Sequence, residues 1–150
     1  MTTEVHCLAP LDHRFTGDFA RADLEIYSVN TFRPSYDAWV FLNDPDVTAD
    51  NAAPDRPSFA GAFAVFGHED CWGDPGHCCV PEETRRFDHR RSHHLTRAFK
   101  RARVTRALNH VIETGEPVAV TIVARTREAW ERDDGERLFE YDGMQVVTFR

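Results

Sequence analysis

The residues best suited to chemistry in this 150-residue chain lie in one short run, Gly67-His68-Glu69-Asp70-Cys71-Trp72-Gly73-Asp74-Pro75-Gly76-His77-Cys78-Cys79. It places two imidazoles and three thiols within twelve residues, in the pattern H-x2-C-x5-H-C-C. Thiolate and imidazole suit Cu(I) and Zn(II), both soft to borderline ions. Gly73, Pro75 and Gly76 let the run fold back so that Cys71 and Cys78 approach each other. The vicinal pair Cys78 and Cys79 points in different directions in most backbone conformations, so one thiol can bind while the other does something else. A metal site at His68, Cys71, His77, Cys78 and Cys79 is therefore the leading expectation. Two other readings stay open. A disulfide from Cys71 to Cys78 or Cys79 suits an exported protein, and reduced, partly buried thiols can simply be inert.

Further donors rank lower. His6 and Cys7 could add ligands from an N-terminal arm, and His89, His93 and His94 follow just beyond the run. On a strand His93 and His94 face opposite sides, so at most one of them joins the site. His110 falls on a short helix facing solvent, and Met144 is better read as core packing than as a soft ligand. Three thiolates saturate a metal and leave no open position, which counts against a mononuclear metalloenzyme. No Gly-rich phosphate loop, G-x-S-x-G or distinct carboxylate pair is present.

Charge is segregated. The net charge is −7, yet between Arg85 and Arg106 nine bases stand with one acid, Asp88. Arg90, Arg91, Arg97, Lys100 and Arg101 of this stripe are candidate partner-binding residues for an acidic protein surface, although a solvated basic face is the plainer explanation. Nucleic acid is disfavoured because the acidic remainder would repel phosphate. No apolar run reaches the roughly 18 residues of a membrane helix. The first residues, MTTEVHC, contain neither a basic nor an apolar leader segment, so a cytoplasmic location is the default expectation; an exported form that has lost its leader would look the same.

The elements that must position these groups read mainly as strands, in a single domain. Residues 1–19 read as an irregular arm. Strands are expected over 20–31, 36–43, 59–67 (apolar, hence central), 92–102 (with Leu95 and Phe99 inward) and 117–125. A terminal hairpin is expected over 138–149, turning at Asp142-Gly143. Gly61 marks a bulge or a close backbone approach. A short helix at about Thr105–Thr114 takes Thr105 as its N-cap and Gly115 as its C-terminal stop. Pro45, Pro54 and Pro57 make 44–58 a loop, and 68–88 reads as a long Cys/His loop. Seven strands and one helix predict an antiparallel β-sandwich.

Trp39-Val40-Phe41-Leu42-Asn43, followed by Asp55-Arg56-Pro57-Ser58-Phe59-Ala60-Gly61-Ala62-Phe63, resembles the C-terminal domain of plant polyphenol oxidases, where a VNDPD-like strand leads to RPEFAGSF. The Phe59–Val65 run, Phe87-Asp88, the Thr105 helix and Val118–Ala124 are similar in order and spacing to the same domain of molluscan haemocyanins. The resemblance covers roughly residues 20–150. It implies a β-sandwich that packs over a four-helix dicopper domain, covers its entrance and stabilises it. This chain lacks that catalytic domain, so oxidase activity of its own is not expected. What the resemblance implies is an accessory protein whose partner is a type-3 copper oxidase catalytic domain or another protein, with self-association also open. That context favours copper, as Cu(I), over zinc at the Cys/His run, which the resemblance itself does not explain.

Overall fold

The computed structural model describes residues 1–8, 10–11, 15–69, 96–131, 133 and 135–150. Among them are seven strands and one helix: β1 (Thr3–Cys7), β2 (Arg21–Val29), β3 (Tyr36–Leu42), β4 (Phe59–Val65), β5 (Ala98–Arg103), α1 (Thr105–Thr114), β6 (Val120–Thr126) and β7 (Gly143–Phe149). The strands form two antiparallel sheets in a sandwich-like arrangement, one ordered β1-β6-β3-β4 and the other β5-β2-β7. The mainly β class with one short helix is as the sequence leads one to expect.

Alternation sets the core. Leu24 and Ile26 of β2, Ala38 and Val40 of β3, Ile122 and Ala124 of β6 and Ala102 of β5 are buried in one cluster between the sheets, joined by Leu108 and Val111 of α1. Each fully buried Leu, Ile or Val contributes about 1.5–3 kcal/mol. A second cluster of Phe41, Val47, Ala52 and Val123 lies on the other face of the four-stranded sheet, where the 44–58 loop covers it. Asp44 pins that loop by accepting hydrogen bonds from Arg56 (Nε at 3.0 Å, Nη2 at 2.7 Å) and from the Ser58 hydroxyl.

Several local expectations are corrected. The first nineteen residues are not an irregular arm throughout, because β1 pairs with β6 from Thr3↔Arg125 to Cys7↔Thr121. Among the described residues β4 is an edge strand, with β3 and β6 central, so its apolar content reflects the covering of its sheet. The terminal hairpin does not form: only β7 is a strand, and it pairs with β2 from Arg21↔Phe149 to Tyr27↔Gly143. Phe99 points outward, being 52% exposed, because the inward positions of β5 are set by Ala102 opposite Leu24 and Lys100 opposite Ile26. Leu95 lies outside the described residues. Val104, not Thr105, occupies the cap of α1. The Thr105 hydroxyl is used instead to tie the helix to β2, accepting from Ala22 N–H at 3.0 Å and lying 3.3 Å from Ala22 O.

Gly115 ends α1 as expected, with φ +73° and its N–H bonded to Ile112 O at 3.1 Å. Gly61 does both things its position suggested. It adjoins an irregularity where Val40↔Gly61 is followed by Phe41↔Phe59, and a Cβ there would stand 3.0 Å from Arg103 O. Among the described residues no helix is long and apolar enough to cross a membrane.

Candidate functional site

The Cys/His run leaves the sandwich at a fixed corner. Gly67 passes so close to the Arg33-Pro34 backbone that a Cβ would stand 1.9 Å from Arg33 O, so only glycine fits. Its N–H donates to Ser35 Oγ at 3.0 Å, and the next N–H, of His68, donates to Thr31 O at 2.8 Å. The Trp130 indole N–H holds the Glu69 carboxylate. When the described chain resumes, Thr96 O accepts from Thr31 Oγ1 at 3.5 Å. Thr31 is buried. Both stems of the intervening segment are thus tied to one residue of the scaffold.

His68 is half-buried, with its ring edge-on to Phe66 at 5.2 Å. Phe66 is 72% exposed and Phe32, adjoining Thr31, is 45% exposed. A cleft of about 720 Å³ opens beside the outgoing stem, bounded by Tyr36, Asp37, Phe66, Glu69, Arg127 and Trp130. Cys71, His77, Cys78 and Cys79, together with His89, Arg90, Arg91, His93 and His94, lie outside the described residues. Among the described residues no group of three or more His, Cys, Asp or Glu side chains is placed to hold a metal.

The N-terminal donors are not drawn together. His6 and Cys7 are successive residues of β1, so their side chains take opposite faces. Cys7 is a free, exposed thiol. His6 turns into the sandwich, with Nε2 3.0 Å from Glu4 Oε2 and its ring edge-on to Phe139 at 5.2 Å. His110 is solvent-facing, as expected, and Met144 packs against the core.

Sequence reasoning missed two buried polar features. The first is Glu4. Its Oε2 accepts from Leu138 N–H at 2.8 Å and Phe139 N–H at 3.3 Å as well as meeting His6. Burial pushes this carboxyl upward, but the bonds from His6, Phe139 and Leu138 outweigh it and hold it below its ordinary value. Nearby, the Tyr36 hydroxyl is buried without a hydrogen-bond partner among the described residues. Burial, with a smaller contribution from the Glu4 charge, pushes that phenol far above its ordinary range.

The second feature is Asp23, on the outer side of β2 yet fully buried. Arg21 grips it with both arms of its guanidinium, Nε donating to Oδ1 at 2.9 Å, and Arg101 Nε stands 3.5 Å from Oδ2. The Arg21 hydrogen bonds hold the Asp23 carboxyl below its ordinary value. Arg101 is therefore engaged within the molecule, while remaining half exposed. Arg97 pairs with Glu140 at 3.7 Å and Asp142 at 3.5 Å, and Lys100 lies on the β5 edge. The alternation of acids and bases along β2 and β5 was the available signal for this network.

No family model, curated protein or solved structure matches this chain.

Proposed function

We propose that this chain is an accessory β-sandwich of a type-3 copper oxidase, docking on a separate catalytic domain and carrying Cu(I) to it on the His68–Cys79 run. The observation that carries the reading is the corner at Thr31, where His68 and Thr96 anchor both ends of the segment containing the donors. Donors carried between two fixed stems can exchange ligands with a partner without loss of the scaffold. The donor chemistry fits the cargo: Cys71, Cys78 and Cys79 supply soft thiolates, and His68 and His77 supply imidazole. Zinc on the same donors would serve as a structural clamp. The resemblance of 39–63 to polyphenol oxidase C-terminal domains supports the choice of partner.

Anaerobically prepared full-length protein is expected to hold about one equivalent of Cu(I). The Cys71→Ala/Cys78→Ala variant should lose it, and co-expression should raise the copper content of the oxidase. A metal-free protein with four titratable thiols overturns this reading. A metal-free interaction module is the second reading, favoured by the exposed rings of Tyr27, Phe99 and Phe149. It leaves the partner's copper content unchanged.

A further inference from the structure

The two outer faces of the sandwich differ. The 44–58 loop covers Phe41 and Val123 on the four-stranded sheet. On the three-stranded sheet three aromatic rings stay in solvent: Phe99 of β5 is 52% exposed, Phe149 of β7 40% and Tyr27 of β2 38%. They share one face because register and alternation place them there. Tyr27 lies beside Phe99, ring centroids 5.3 Å apart, and Arg21 opposite Phe149 sets its guanidinium 5.2 Å from that ring.

We propose that this face docks an acidic protein segment carrying apolar side chains, with Phe99 and Tyr27 as apolar anchors and Arg101 and Arg103 as the charges that select it. Charge is the first argument. Within a chain of net charge −7, Arg101 and Arg103 of β5 lie on this outer face beside Arg21 of β2, and residues 98–106 contain no acid. Two carboxylates share this face. Asp23 is fully buried beneath Arg21 and Arg101, and Glu25, opposite Arg101, is partly exposed and accepts from Tyr27 and Gln145. The guanidiniums of Arg21, Arg101 and Arg103 therefore outnumber the acids an incoming surface meets. Aromatic residues with Arg are the types enriched where interfaces concentrate their binding energy.

Order is the second argument. Tyr27 O–H donates to Glu25 Oε2, and Gln145 Nε2 donates to Glu25 Oε2 at 3.1 Å and to Tyr27 OH at 2.7 Å. Side chains already held in place lose less entropy on docking. A second copy of the chain is a poor occupant, because face-to-face pairing would set two faces in which Arg21, Arg101 and Arg103 outnumber Asp23 and Glu25 against each other. Nucleic acid is opposed by the acidic remainder of the chain.

No donor of the Cys/His run is among the residues of this face, and the test reads no metal, so its failure and that of the copper reading are separable. The test is an NMR titration of the full chain with a synthetic peptide of about ten residues alternating Glu and Phe, long enough to span a strand or two. Polyglutamate and oligo(dT) are run in parallel. Saturable shifts at Tyr27, Phe99 and Phe149, at least tenfold weaker in Phe99→Ala and in Arg103→Glu, are expected. Both side chains are exposed; because Arg103 also faces the buried Asp23 carboxylate, a retained cooperative urea transition, not an unchanged midpoint, establishes that the variants fold. Three outcomes overturn the proposal: no saturable shift on this face up to about 1 mM peptide, equal binding by both variants, or tighter binding of oligo(dT) or of polyglutamate alone.

Discussion

Asp23 and Tyr36 show the two fates of a polar group taken out of water in this fold. Asp23 is fully buried but holds an Arg21 fork and faces Arg101, so its charge is compensated. Its carboxyl lies below its ordinary value of 3.8, and Glu4 likewise lies below 4.5. Such groups contribute stability that is full above their unfolded values and is lost as pH falls through the lower folded values. Urea midpoints should therefore decline from about pH 5 to pH 3, and Asp23→Asn should flatten that decline while costing about 2 kcal/mol at neutral pH. An unchanged slope in Asp23→Asn would contradict the assignment. Tyr36 is the opposite case, because its buried hydroxyl finds no partner among the described residues. Tyr36→Phe keeps the ring and removes the unpaired group, so it should raise stability by about 1 kcal/mol in the same assay. A loss would mean the hydroxyl is satisfied.

At the scale of elements, one carboxylate explains two departures from the sequence pattern. β1 is hidden from hydropathy because its inward residues are Glu4 and His6, while Val5 faces outward against the second cluster. Leu138 and Phe139 imitate a strand by being apolar, yet they are consecutive and both buried, and their N–H groups go to Glu4 rather than to a neighbouring strand. The sequence yields seven strands for a different reason than the fold does, with 138–141 counted in place of β1. By contrast, the bounds of α1 were legible from Leu108, Val111 and Gly115, and Gly61 was legible because strands rarely tolerate glycine without cause. Hydrogen exchange should find the β1 N–H groups that face β6 protected well above a free N-terminus, though less than those of the central strand β6; exchange at the rate of a free N-terminus would contradict the pairing. The stem glycine gives a sharper test. Gly67→Ala should cost roughly 3 kcal/mol, the upper end for overpacking against backbone, whereas Gly143→Ala, with nothing within 4 Å, should stay within about 0.5 kcal/mol.

For the whole molecule, the soft-donor chemistry proposed for the His68–Cys79 run rests on its residue types, whereas the ties of its two stems were not legible in the sequence. Thr31 lies far from both stems in sequence, and no local pattern announces that one threonine receives His68 and Thr96. The residues that carry the family resemblance serve the scaffold here: Asp44, Arg56 and Ser58 clamp the 44–58 loop, and Gly61 lets β4 approach β5. The two proposals use different residues: the donors of the run whose stems meet Thr31, and the aromatic and basic side chains of the three-stranded sheet. Docking and metal carriage can then be altered independently, with face variants keeping full metal content. The most direct test of the central claim is metal stoichiometry on anaerobically purified full-length protein, paired with thiol titration. About one equivalent of Cu(I), lost in Cys71→Ala/Cys78→Ala but kept in Cys7→Ala, is the predicted result. A metal-free chain whose four cysteines all react as free thiols would contradict it.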